Sequence, residues 1–130
     1  MSAFLRIAVA AALATGATAL LPGTAQAAEY NGACGSGYAA IDHLDVSGGT
    51  VWLTYSGATG KNCVVTVRNS PGAKKHMDAK ISLAGAPWKS NPGDFKEYAG
   101  PVYVSARNAC IDWGGEIENS TAYRYGVHCG

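Results

Sequence analysis

The chain has 130 residues, 48% hydrophobic and 15% charged, with 17 Gly, 5 Pro and 4 Cys and a formal net charge of +1. That length allows one domain with a modest core. Basic and acidic residues nearly balance and no basic run is longer than Lys74-Lys75, which argues against a nucleic-acid partner held by phosphate neutralisation.

The amino-terminal stretch reads as an export signal. One positive charge, Arg6, precedes an apolar or small run over 7–21, which is followed by Pro22, Gly23 and then Ala25-Gln26-Ala27. The last three are the small-x-small pattern a signal peptidase accepts. The run is too short for the roughly 20 residues needed to cross a hydrocarbon core. Residues 1–27 are therefore assigned to a cleaved secretory signal and 28–130 to a single disulfide-stabilised β domain, with no membrane span in the mature form. Loss of Arg6 leaves nine basic and nine acidic residues, a net charge of zero.

Past residue 37 the chain alternates short β-branched or aromatic runs with Gly, Asn, Ser and Pro, and no helix-period stripe occurs. Strands are expected over 38–46, 50–56, 63–69, 79–84, 101–106, 111–117 and 122–129. The turn-forming stretches between them include Ser47-Gly48-Gly49, Asn69-Ser70-Pro71-Gly72 and Asn119-Ser120. About seven short strands at this spacing predict an all-β fold, a small antiparallel sandwich or barrel. Period-two alternation is clearest where Val51, Leu53 and Tyr55 oppose Trp52, Thr54 and Ser56. Cys63, Val65 and Val67 likewise oppose Val64, Thr66 and Arg68, and Val102 and Val104 oppose Tyr103 and Ser105.

Four cysteines in an exported chain favour disulfides over thiolate or zinc chemistry. No CxxC occurs, and Cys34, Cys63, Cys110 and Cys129 are spaced 29, 47 and 19 apart. In an up-down-up meander Cys34, ahead of the first strand, lies at the same end as Cys63, which opens the third. A two-residue turn at Asn119-Ser120 sets Cys110 opposite Cys129. Two bridges, Cys34–Cys63 and Cys110–Cys129, are the favoured pairing. Strict alternation in that last hairpin conflicts with a common core face for Ile111, Trp113 and Ile117 with Val127, Tyr125 and Tyr123. A bulge, at Gly114-Gly115 or elsewhere, or another register is required.

Catalytic patterns are absent. The stretch 57–62 lacks the Ser or Thr of a phosphate loop after Lys61, and Ser36 sits in a Gly-rich turn without a nucleophile elbow. His43 is flanked by Asp42 and Asp45, but strand neighbours point to opposite faces, so a surface histidine is the better reading. His76 and His128 have no companions at metal-ligand spacing. Asp112, Glu116 and Glu118 share a face in a regular hairpin, although nothing implies the groove and raised-pKa acid of a glycosidase. Asn119-Ser120-Thr121 matches a glycosylation sequon, to which a leader of bacterial character gives little weight. No catalytic residue, metal ligand or cofactor is assigned.

The aromatics say more. Trp88 lies in Gly85-Ala86-Pro87-Trp88-Lys89-Ser90-Asn91-Pro92-Gly93, a loop with two prolines. It is either a lid on the core or an exposed platform of the kind that stacks on sugars or anchors a partner. With Trp52 and Tyr103 on the nominal outer face, Trp88, Trp52 and Tyr103 are the candidate binding residues.

The stretches Tyr30-Asn31-Gly32-Ala33-Cys34-Gly35-Ser36-Gly37-Tyr38, Gly49-Thr50-Val51-Trp52-Leu53-Thr54-Tyr55, Thr59-Gly60-Lys61-Asn62-Cys63-Val64-Val65-Thr66 and Tyr98-Ala99-Gly100-Pro101-Val102-Tyr103-Val104 resemble the spore-associated protein A family of streptomycetes, which are actinobacteria. The cluster Cys110, Trp113, Gly114 and the terminal Cys129-Gly130 are similar as well. The segment 73–95, with Trp88, carries no part of the resemblance. The resemblance implies a small secreted protein on spores or aerial hyphae with no assigned enzymatic activity, and it supplies no catalytic residues.

The expected function is that of a secreted, non-catalytic protein of the spore or cell surface, structural or adhesive, whose partner is a surface polymer or protein layer. A glycan-binding module using Trp88 and Trp52 is the second reading, and a small secreted protease inhibitor presenting 85–93 the third. The sequence gives neither the ligand nor the oligomeric state.

Overall fold

Alternation along each strand decides which residues meet, and the computed structural model describes them over residues 28–130. The export signal read at 1–27 lies outside the described residues. The strands are β1 (Ala39–Val46), β2 (Gly49–Ser56), β3 (Lys61–Arg68), β4 (Lys75–Leu83), β5 (Lys89–Ser90), β6 (Gly93–Phe95), β7 (Tyr98–Ser105), β8 (Ile111–Ile117) and β9 (Ser120–Val127), with no helix among the described residues. One sheet runs β1-β2-β3-β7 and the other β5-β4-β8-β9, with β6 also paired to β4. Every pairing is antiparallel. The fold is an all-β sandwich.

The inner faces meet in one core that takes Val51, Leu53, Val64, Val102 and Val104 from the first sheet and Met77, Ile81, Ile111, Trp113 and Ile117 from the second. Trp113 is 0% exposed, and burying an indole of about 150–250 Å² at about 25 cal/mol per Å² stabilises the fold by roughly 4–6 kcal/mol before entropy is counted. Gly115 lies opposite Ala79 on the neighbouring strand. A Cβ there would meet Thr66 Oγ1 at 2.2 Å. The missing side chain lets the Thr66 hydroxyl of one sheet donate to the Asp78 carbonyl of the other at 2.8 Å, a bond made in the dry interior.

All seven expected strands are present, and both disulfides join the expected partners, Cys34 with Cys63 and Cys110 with Cys129. Three features differ. The region 85–95, where no strand was expected and 85–93 was read as a loop, contributes β5 and β6, two and three residues long, too short for a period to register. The last hairpin turns at Glu118-Asn119 instead of Asn119-Ser120, because Ile117 pairs with Ser120. Glu118 adopts φ 54° in that turn. The bulge lies on β9 opposite Asp112, not at Gly114-Gly115: the register shifts between Ile111 and Trp113. That extra residue on β9 resolves the conflict, so that Ile111 faces Val127 while Ile111, Trp113 and Ile117 stay in the core.

The outer face of the first sheet is not a bare surface. Cys63 and Val65 point outward yet are 0% exposed, packed under Tyr30, Ala33, Cys34, Tyr38 and Trp52. The segment 28–38 crosses that face as a strap. The Trp52 indole N–H donates to the Ala28 carbonyl at 2.7 Å, the Tyr103 hydroxyl donates to the Cys34 carbonyl at 2.9 Å, and the Cys34–Cys63 bridge fastens the strap between them.

Candidate functional site

The outer face of the second sheet is polar. Alternation turns His76, Asp78, Lys80 and Ser82 of β4 outward, with Asp112, Gly114 and Glu116 beside them on β8. In register, Asp78 pairs with Glu116, Lys80 with Gly114 and Ser82 with Asp112. On β9, Tyr123 sits opposite Gly114 and Thr121 opposite Glu116.

Onto this face folds the turn after β4. The Ala84 N–H donates to the Cys110 carbonyl at 3.0 Å and the Ala86 N–H to the Leu83 carbonyl at 2.9 Å. Asp112, itself buried, accepts the Gly85 N–H on Oδ2 at 3.0 Å and the Gly126 N–H on Oδ1 at 2.8 Å. Asp78 Oδ1 accepts the Asn91 N–H at 2.9 Å at the far end of the loop. One carboxylate thus ties the loop to the β9 bulge, and a second returns the chain to the sheet.

The result is a cluster of three aromatic rings. The Trp88 ring centroid lies 5.7 Å from Tyr123 and 6.2 Å from Tyr125, and the two tyrosines are 6.3 Å apart. Gly114 makes room, since a Cβ there would stand 2.3 Å from Tyr123 Cδ1. Trp88 keeps 36% of its surface exposed and Tyr125 65%. Beside the rings, Lys80 Nζ sits 6.0 Å from the Trp88 centroid and 5.7 Å from that of Tyr123. The same ammonium is 3.8 Å from Asp78 Oδ2 and 3.9 Å from Glu116 Oε2, and His76 Nε2 is 4.0 Å from Glu116 Oε1. Cation–π and ionic contacts together hold Lys80 in place.

Burial pushes the Tyr123 phenol up to about 12, with the nearby Glu116 and Asp78 charges acting in the same direction. It therefore stays a hydrogen-bond donor at any physiological pH. Burial also raises the Asp78 carboxyl, against the pull of the Asn91 N–H and the Lys80 ammonium.

The structure does not bring the three sequence-derived binding residues to one surface. Trp88 is on the outer face of the second sheet. Trp52 and Tyr103 are on the strap-covered face of the first, where Trp52 packs 6.5 Å from Tyr30 and 5.0 Å from His43, and Tyr103 lies 5.6 Å from Tyr38. Both also donate hydrogen bonds to the strap. Tyr123, Tyr125 and Lys80 were not singled out from the sequence as binding residues, and Glu116 was weighed there only as a hydrolytic carboxylate beside Asp112 and Glu118. Tyr123 and Tyr125 are two apart in one strand, and the correct turn at Glu118-Asn119 would have set Tyr123 against Gly114.

The histidines are dispersed. His43 faces Asp45 at 3.9 Å, whereas His128 Nε2 lies 2.9 Å from Asp42 Oδ2, tying the carboxy-terminal tail to β1. His128 also lines a hollow of about 470 Å³ with Ile41, Tyr55 and Arg107 among others. Among the described residues no group of three or more His, Cys, Asp and Glu side chains is placed to hold a metal ion, and no helix is long and apolar enough to cross a membrane.

Comparison with known proteins adds one relative. Spore-associated protein A of Streptomyces coelicolor is 50% identical over 105 residues, covering 79% of this chain and 68% of the relative. The chain belongs to the spore-associated protein A family. No protein-family model and no solved structure matches it. The stretches quoted above for that resemblance form the strap, β2, β3 and β7 of this sandwich, and the two bridges join this chain's four cysteines.

Proposed function

We propose that this protein is exported, sits on the spore or cell surface, and acts there as a non-catalytic attachment component. The observation that carries the reading is the open aromatic cluster of Trp88, Tyr123 and Tyr125 on one outer face of a doubly cross-linked sandwich. Membership of a family whose Streptomyces coelicolor member is named for its association with spores supports the location. The export signal read at 1–27 and the absence of free cysteines among the described residues support passage to an oxidising space.

A structural role also suits the site's polar groups. Asp112 and Asp78 are occupied by backbone N–H groups, and Glu116 faces Lys80 and His76. Asp112 and Asp78 hold the aromatic loop in place. The inhibitor reading gains no support, because the 85–91 segment folds back onto the sheet instead of projecting as an extended strand.

Intact spores washed with salt or detergent test the reading. The wild-type protein should remain with spores in buffer and be released by detergent, and a Trp88→Ala, Tyr125→Ala double variant should appear mainly in the wash. Finding the wild-type protein only in culture fluid refutes it.

A further inference from the structure

We propose that the Trp88–Tyr123–Tyr125 cluster is a saccharide-binding site that takes one pyranose ring of an uncharged glycan chain, with Lys80 and Glu116 as its hydrogen-bonding pair. This rests on the attachment reading above and names the chemistry of what is held.

The geometry has three parts. Three rings with centroids within 5.7–6.3 Å of one another and planes tilted by 33–55° form a shallow cradle about the width of one sugar ring. The apolar C–H face of a pyranose stacks on such π surfaces. Next, a sugar's vicinal hydroxyls need a donor and an acceptor side by side. The Lys80 ammonium, 5.7 Å from the Tyr123 ring centroid, is the donor and the Glu116 carboxylate 3.9 Å from it the acceptor at the edge of the cradle. Asp78 on the other side of Lys80 fixes the long side chain in advance, which lowers the entropy lost on binding.

Charge selects the class of glycan. The cation at the cradle, Lys80, is already engaged by two carboxylates, Asp78 at 3.8 Å and Glu116 at 3.9 Å. It offers no free charge to a phosphate-bearing or uronate polymer, whereas an uncharged pyranose needs none. A protein partner is disfavoured by shape. Protein hot spots seat an anchor side chain in a desolvated pocket, while this cluster is a platform, and two hollows among the described residues lie away from it, at Pro71, Phe95 and Tyr98 and at Ile41, Tyr55 and His128.

The test is a titration of the purified mature protein with hexasaccharides of β-1,4-linked glucose, β-1,4-linked N-acetylglucosamine and α-1,6-linked mannose, with polygalacturonate and polyglycerol phosphate as anionic probes. Binding is read by tryptophan emission and by calorimetry. At least one neutral hexasaccharide should bind saturably, with a Kd between about 10 μM and 1 mM. Trp88→Ala and Tyr125→Ala should each weaken it about tenfold or more, and Lys80→Met severalfold, while the anionic probes give no saturation. Tyr125 is largely exposed, so Tyr125→Ala keeps the fold if Trp88→Ala does not. Failure of every neutral hexasaccharide to bind at about 10 mM, binding unchanged in Tyr125→Ala, or preference for an anionic probe overturns the proposal. Retention on spores that depends on Trp88 and Tyr125 without any sugar binding would sink the saccharide site and leave attachment, through a protein layer, standing. Sugar binding without spore retention would sink attachment alone.

Discussion

Asp112 is the residue on which the aromatic face depends, and its removal should be measurable in both stability and surface geometry. Its two carboxylate oxygens accept N–H groups from Gly85 and Gly126 at 3.0 and 2.8 Å, so one side chain joins the Trp88 loop to the bulge that presents Tyr125. Hydrogen bonds to a charged acceptor are worth about 1.5–3 kcal/mol each. Both donors are only part-buried, and water reaches them once the carboxylate is gone, which puts each at the lower end. Asp112→Ala should therefore cost about 3 kcal/mol, and for a domain of this size that lowers the melting midpoint by roughly 12–20 °C. Asp112→Asn keeps one acceptor but points an NH2 group at the other N–H, so it should lose at least half as much. Thermal and urea unfolding followed by circular dichroism gives the stability, and tryptophan emission reports Trp88, the most exposed of the three indoles. A loss below about 1 kcal/mol, or an unchanged Trp88 signal in Asp112→Ala, would refute the claim that this carboxylate holds the loop.

Gly114→Ala should destabilise by about 3 kcal/mol or more, because its Cβ would stand 2.2 Å from the Ala122 carbonyl oxygen and 2.3 Å from Tyr123; amide exchange across β8 and β9 should rise with it. Removing the Cys34–Cys63 bridge by double Ser substitution frees a loop of sequence separation 29 and should cost roughly 3–4 kcal/mol in the chain-entropy account, read as a shift in the urea midpoint. The Tyr123 phenol, raised to about 12, should appear as a late step in the ultraviolet tyrosinate titration that vanishes in Tyr123→Phe. Because the folded chain keeps that proton where the unfolded chain loses it, stability should fall as pH rises from 10 towards 12, less steeply in the variant.

How much of this the sequence disclosed follows from the range of each signal. The seven long strands were legible because each shows a period of two over several residues between Gly, Asn or Pro turns; the Cys34–Cys63 bridge followed from strand order, whereas Cys110–Cys129 was reached through a turn at Asn119-Ser120 that the structure moves to Glu118-Asn119. The strap was not legible. Its residues, Tyr30 to Tyr38, have no strand period, and only the outward-facing Cys63, Val65 and Val67 hint that the first sheet needs cover on both sides. In the aromatic site, Trp88 announced itself as a tryptophan among prolines, yet its neighbours did not. Their assembly needs the bulge opposite Asp112 and a turn one residue earlier than Asn119-Ser120, and a slip of one residue exchanges the faces of every side chain in a strand. Trp52 and Trp88 were grouped because each lies outside the core pattern, but alternation cannot say which of two sheets an outer face belongs to.

The two outer faces answer opposite needs, and this separates stability from attachment. On the first sheet Cys63 and Val65 face outward beside Thr50 and Thr54, and Tyr30, Tyr38, Trp52 and a disulfide cover them. On the second the outward residues are polar: Asp78 and Asp112 are buried and bond the folded-back loop, Ser82 is buried, and Lys80 and Glu116 stay partly exposed. The rings gathered there leave much of their surface in water, as Tyr125 does at 65%. Trp52→Phe removes the 2.7 Å bond to the Ala28 carbonyl and should cost about 1 kcal/mol while leaving spore retention unchanged. Tyr125→Ala should do the reverse, shifting stability by no more than about 0.5 kcal/mol and releasing the protein from spores. If both substitutions moved both quantities together, the aromatic cluster would be part of the folding core, and the reading of it as a surface kept free for a partner would fail.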